Sequence, residues 1–178
     1  MAAHRLSAIS ALLLLLAAPA LAQSIGEKTG VNAAVGISPS TEDFVKQVAI
    51  SDMFEIESSK LAAQKGDAAT KTFAKQMVTD HTKTSTELKG LVSSGKVKAE
   101  IPTALDKTHT GKLEKLQSLN GADFNNQYHD DQLAAHKDAV SLFERYSKSG
   151  ENQDLKSWAS TTLPALQQHL KMAEDLKK

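Results

Sequence analysis

From Thr41 onward, apolar side chains recur three or four residues apart in four long stretches, at about 41–65, 67–94, 121–148 and 152–177. A shorter stretch with the same spacing lies at about 104–119. No segment alternates apolar and polar residues as a strand would, so the chain is expected to be all-α. Placed on a helical wheel of about 100° per residue, Phe73, Met77, Leu88 and Leu91 share one face, widened by Ala74 and Val92. Phe44, Val48 and Ala62 align in the first long segment. The third carries Phe124, Tyr128, Ala135, Ala139, Leu142 and Tyr146, and the last Leu155, Ala159, Leu166, Leu170 and Ala173.

Helix boundaries are written in the polar residues between these segments. "SPSTEDF" offers Ser40 or Thr41 as an N-cap, with acidic residues in the first turn where they meet exposed amides. Gly66 with Asp67 marks a tight turn, Gly95 and Pro102 bracket a loop, and "NGADF" and "SGENQD" separate the later segments. Short turns between long helices make antiparallel neighbours. The stretch 95–120 is long enough to run the length of a bundle, and it contains the short helix. Pro164 lies inside the last helical pattern and is expected to kink it.

The first 22 residues belong to a different class of segment. His4 and Arg5 precede "LLLLLAAPALAQ", a short apolar run ending in Ala20-Leu21-Ala22, which reads as a secretory signal peptide cleaved before Gln23. Residues 23–40 are small, polar and without period, and are expected to form a flexible arm ahead of a folded domain at 41–178. The leader predicts export across the inner membrane, with the periplasm as the expected location. No later segment is apolar for long enough to cross a membrane.

Charge and cysteine content narrow the chemistry. The 21 basic and 21 acidic residues are spread evenly, so no basic face points to nucleic acid as a partner. No sequence feature names a protein partner or an oligomeric state. The chain has no cysteine, which removes disulfides, thiolate ligands and lipid attachment at a leader cysteine. Any bound metal must therefore use histidine, carboxylates or backbone oxygens.

Ionisable residues fall on faces that should be apolar. Glu55 and Ser59 align with the stripe of the first long helix, and His81 projects from the middle of the second. Asp80, about 100° away from its neighbour, lies at the edge of that stripe. Asp131 is in line with the third stripe and His136 flanks it, while His169 flanks the fourth. A buried, unpaired carboxylate is costly, so such groups must be protonated, hydrogen-bonded or bound to a cation. Facing helices that each contribute one such residue are how helical bundles build metal sites.

Several of these residues sit in segments that resemble a known family. "DMFEIESSKLAAQKG", "FAKQMVTDH", "KLQSLNGADFNNQY", "HKDAVSLFE" and "WASTTLPALQQHL" occur in the order found in the bacterial secreted ferritin-like proteins of domain of unknown function 4142. The resemblance runs from Phe44 to Leu176. It implies a ferritin-like antiparallel four-helix bundle, with a short extra helix in the long connection between the second and third long helices, and an envelope location. It implies no reaction. Asn125 and Ala135 stand where the family pattern often carries acidic residues, which disfavours carboxylate ligands there. Three residues before His81, His136 and His169 stand Val78, Leu133 and Leu166, so the Glu-x-x-His pairs of di-iron centres are missing.

Two functional readings follow. In the first, an exported bundle binds a divalent transition metal or a small ligand through some of Glu55, His81, His136 and His169, in envelope stress or redox protection. In the second, the same residues bond to one another in a metal-free structural or interaction module. No catalytic residue is assigned: Gly-x-Ser-x-Gly, phosphate-loop and His-Glu-x-x-His motifs are all missing, so nothing local supports an enzyme.

Overall fold

The computed structural model describes residues 31–178. The expected leader therefore lies outside the described residues. Six helices and no strand occur among them. In chain order they are α1 (Val31–Val35), α2 (Thr41–Lys65), α3 (Ala68–Ser93), α4 (Lys107–Ser118), α5 (Gly121–Ser149) and α6 (Gln153–Leu176). The four long helices and the short one coincide with the apolar periods to within a few residues. No helix among the described residues is long and apolar enough to cross a membrane.

Four of the helix starts are chemically specified. The side chains of Ser40, Asp67, Asp106 and Asn152 accept from the backbone N–H groups of Asp43, Thr70, His109 and Leu155 respectively, opening α2, α3, α4 and α6. These caps satisfy amides that the helix itself leaves without a partner. Gly66, between α2 and α3, allows a close approach: a Cβ there would lie 2.6 Å from Thr70 Cγ2 and 2.7 Å from the Ala62 carbonyl oxygen. The turn before α6 is equally tight, since a Cβ on Gly150 would meet the Tyr146 ring at 2.5 Å.

These turns produce two hairpins, α2–α3 and α5–α6, which pack so that α2 faces α5 and α3 faces α6. The long connection carries α4 across α2 and α5. Lys65 anchors its far end by donating to the carbonyl oxygens of Gln117 (2.8 Å) and Leu119 (2.6 Å). Pro164 lies within α6, which continues through it from Gln153 to Leu176. Residues 31–40, expected as part of a flexible arm, instead contain α1, with Asn32 buried and the Ile37 carbonyl accepting from Arg145 Nη1 at 2.7 Å.

The apolar interior is divided in two. One cluster gathers Phe44, Val48, Leu88, Leu142, Tyr146, Leu155 and Leu166; the other gathers Phe54, Phe73, Met77, Phe124, Tyr128 and Ala173. Asp52, His81, Asp131, His136 and His169 lie between the two clusters in sequence, with Glu55 next to Phe54 at the border of the second, so a polar layer separates two apolar ones. In the first cluster Phe44 stacks on Tyr146 with ring centroids 4.1 Å apart, and Tyr146 shares a 2.7 Å hydrogen bond with Thr41 Oγ1. Urea unfolding should separate these contributions. Phe44→Ala, which empties a fully buried site, should cost about 3–5 kcal/mol, whereas Tyr146→Phe, which removes only the hydroxyl, should cost about 1 kcal/mol.

Candidate metal centre

The polar layer brings residues from all four long helices together. α2 supplies Asp52 and Glu55, three residues apart and hence on one face. α3 supplies His81, α5 supplies His136 and α6 supplies His169, all three buried. The imidazole rings form a triangle, with centroids 5.6 Å apart for His81–His136, 5.6 Å for His81–His169 and 5.5 Å for His136–His169. One ring nitrogen from each lies within 4.8 Å of the other two.

Hydrogen bonds decide which nitrogens are left over. His136 Nδ1 is 2.9 Å from the carbonyl oxygen of Gln132 one turn earlier on α5. A carbonyl can only accept, so Nδ1 carries the proton and Nε2 presents its bare lone pair. His81 Nδ1 donates to Asp52 Oδ1 at 2.8 Å, and Asp52 Oδ2 accepts from the Thr84 hydroxyl at 2.9 Å. His169 Nε2 donates to Asp80 Oδ2 at 2.9 Å. The remaining atoms, His81 Nε2, His136 Nε2 and His169 Nδ1, are buried and make no hydrogen bond.

Glu55 adds a carboxyl group to the same layer. It is 1% exposed, and neither of its oxygens makes a hydrogen bond. The Gln132 amide lies beside it, yet neither polar atom of that amide reaches bonding geometry. Glu55 is outside the group of mutually close donor atoms, which comprises the three histidines. Asp131 serves a different contact: it is buried, but it accepts from Gln127 at 3.0 Å and lies 3.4 Å from Lys112 of α4. His109 and His129 lie away from the triangle, bonded to Asp106 and Thr70.

Burial and neighbouring charge set the protonation states. Burial pushes the Glu55 carboxyl up to about 7, against the pull of His81 and Gln132. Burial pushes His136 down to about 3, and the neighbouring His81 and His169 add to this. His169 is lowered for the same reason, burial first and His81 second. Burial would lower His81 as well, but the Asp52 carboxylate, helped by Glu55 and Asp80, overrides it and leaves the ring above its ordinary value.

Residues 26–176 match the family model described as Domain of unknown function (DUF4142). The chain belongs to this family. The description assigns the family no function, so the chemistry of the layer must be read from the residues. No curated protein and no solved structure matches the chain.

All four residues picked from the sequence thus lie in one layer, with Glu55 beside rather than among the converging nitrogens. Sequence reasoning missed Asp52, Thr84 and Gln132, which hold or flank them. Asp52 carried a signal, since the spacing of "DMFE" puts it on the face of Glu55. Asp80, read as a boundary residue, is about a third exposed and bonds not to its neighbour His81 but to His169 across the helix interface.

Acid titration should expose the opposed demands of this layer. Between pH 6.5 and 3 the unfolded chain protonates His136 and the folded chain does not, so this residue makes stability fall as pH falls. Between pH 7 and 4.5 the folded chain holds a proton on Glu55 that the unfolded chain lacks, so this residue makes stability rise as pH falls. The two slopes oppose across pH 6.5 to 4.5. Relative to wild type, Glu55→Gln should therefore lose about 2 kcal/mol more between pH 6.5 and pH 5. His136→Gln should change with the opposite sign, with both effects read from urea unfolding at each pH.

Proposed function

We propose that this protein is an exported, ferritin-like four-helix bundle that binds a divalent transition metal through His81, His136 and His169. One observation carries the reading: each histidine uses one ring nitrogen to hold a carboxylate or carbonyl and leaves the other buried and unpaired, and one nitrogen of each ring lies within 4.8 Å of those of the other two. Histidine ligands in metal sites are oriented in this way, with the second N–H fixed by an outer acceptor. Buried ring nitrogens without a hydrogen-bond partner otherwise cost about 1–3 kcal/mol each, which a purely structural layer has no reason to bear three times in one place.

Three imidazoles suit zinc, copper, nickel or iron(II), and the missing cysteine removes the sulfur-rich alternatives. When bound, the ion would supply Lewis acidity or redox chemistry. Glu55 stands beside it as a carboxyl group able to hold or release a proton. The pairing of α2 with α5 and of α3 with α6, with α4 in the long connection, supports the bundle, and the leader sequence supports the periplasm. The metal-free reading draws support from the Asp52–His81 and Asp80–His169 bonds, which tie α2 to α3 and α3 to α6.

Metal titration separates the two. Chelator-treated protein should take up a single equivalent of Co²⁺ or Zn²⁺, and saturation at a hundredfold excess over Kd should add about 2.7 kcal/mol of stability. His136→Ala should abolish uptake while retaining helical circular dichroism. Asp52→Asn, which keeps the side chain's shape, should weaken affinity by about 10- to 100-fold. Affinity should also fall as pH drops, because the ion must displace a proton from His81, whose pKa is raised. A folded wild-type protein that takes up neither ion sinks the proposal in favour of the metal-free module.

A further inference from the structure

We infer that the cavity between α3 and α6 is the port through which a divalent cation reaches the three histidines, with the Asp80 carboxylate as its outer binding step. This inference rests on the metal-binding reading above. The cavity measures about 400 Å³ and is walled by Gln76, Asp80, Thr84, Glu87, His81 and His169 among others. Two members of the histidine triangle thus line it, and the third, His136, does not. His81 Nε2 and His169 Nδ1 are unpaired and shielded from solvent, so a cation arriving here meets free ligand atoms one layer in.

Asp80 stands where capture must occur. Its side chain is 30% exposed, and both of its hydrogen bonds, from Gln76 at 2.6 Å and from His169 at 2.9 Å, fall on Oδ2. Oδ1 is left to exchange with the water shell of an incoming ion. Glu87 adds a second carboxylate to the wall, partly offset by Lys83 at 3.8 Å.

A second cavity, of about 180 Å³, also touches His81, but it is smaller and its wall is more apolar. Val48, Phe54, Leu142, Phe143 and Leu166 line it, and its carboxylates, Asp106 and Asp138, share the wall with Lys112 and His109. Its buried carboxylate, Asp52, has both oxygens engaged by His81 and Thr84. A largely apolar wall gives a hydrated cation little in exchange for its water, so uptake is assigned to the α3–α6 side.

Stopped-flow uptake of Co²⁺, followed by its visible absorption in full-length protein, tests the port. Asp80→Asn keeps the side chain's size and an oxygen for His169 while removing the charge. It should slow association about tenfold, the lower end of electrostatic steering effects, with release slowed in parallel. Ala165→Phe, at an exposed position on the cavity wall, should slow uptake without altering any charge. Asp138→Asn, the same charge change on the other cavity, should leave the rate unchanged. Wild-type association rates in both Asp80→Asn and Ala165→Phe would overturn the port, as would slowing confined to Asp138→Asn. Faster release at an unchanged association rate in Asp80→Asn would also overturn it, by reducing Asp80 to a positioning residue for His169. Wild-type protein that binds no Co²⁺ would overturn the metal reading itself, and the port with it.

Discussion

Every feature of this molecule's interior answers to one constraint: imidazole and carboxyl groups placed between long apolar helices must find partners, because water is excluded there. The Asp52–His81 bond is the central case, with both side chains almost fully buried and 2.8 Å between the bonded atoms. It joins the two helices of the first hairpin at mid-length. Asp80–His169 joins that hairpin to the second, and His136 is tied to its own helix through the Gln132 carbonyl. Each bond consumes one nitrogen of a ring that has two. Orientation of the helices and exposure of the remaining lone pairs are thus a single geometric fact.

The apolar clusters on either side make this arrangement affordable. Stacked aromatic rings around Phe44 and Tyr146 close one side, and Phe73, Phe124 and Tyr128 close the other. Buried rings of this size supply most of the favourable burial energy, which offsets a layer containing a carboxyl group that is neutral in half of the molecules near pH 7. Low polarity also sharpens the differences among the histidines. Chemically identical rings come to prefer different protonation states, because one sits against a carboxylate and another against a backbone carbonyl.

The layer's placement has a functional consequence. The unpaired ring nitrogens at mid-bundle are shielded from solvent, so in the proposed metal centre the route to them would be set by which helix interface carries polar side chains. Between α3 and α6 those side chains are carboxylates, amides and hydroxyls; the cavity reached from α2, α4 and α5 is mostly apolar. In the proposed metal centre α3 and α6 would thus contribute both ligands and access, α5 the third ligand, His136, and α2 the carboxylate that holds His81.

Helical period and capping chemistry are local, and they determined all of the element list but α1: four long helices, one short one, and turns at Gly66 and Gly150 were legible residue by residue. Period also identified Glu55, His81, His136 and His169 as inward-facing, since a wheel needs only sequence spacing. It could not show that three of the rings converge while Glu55 stays beside them, because distances between helices depend on hairpin packing. Asp52 escaped notice for the same reason: nothing in its own helix reveals that His81, on the next helix, is its partner. Asp80 was read as a boundary residue, and its bond to a histidine 89 positions away exists only once α3 and α6 are packed. Spacing along one helix is written in the chain, whereas which lone pairs remain unpaired is decided only when separate helices compete for the same hydrogen bonds.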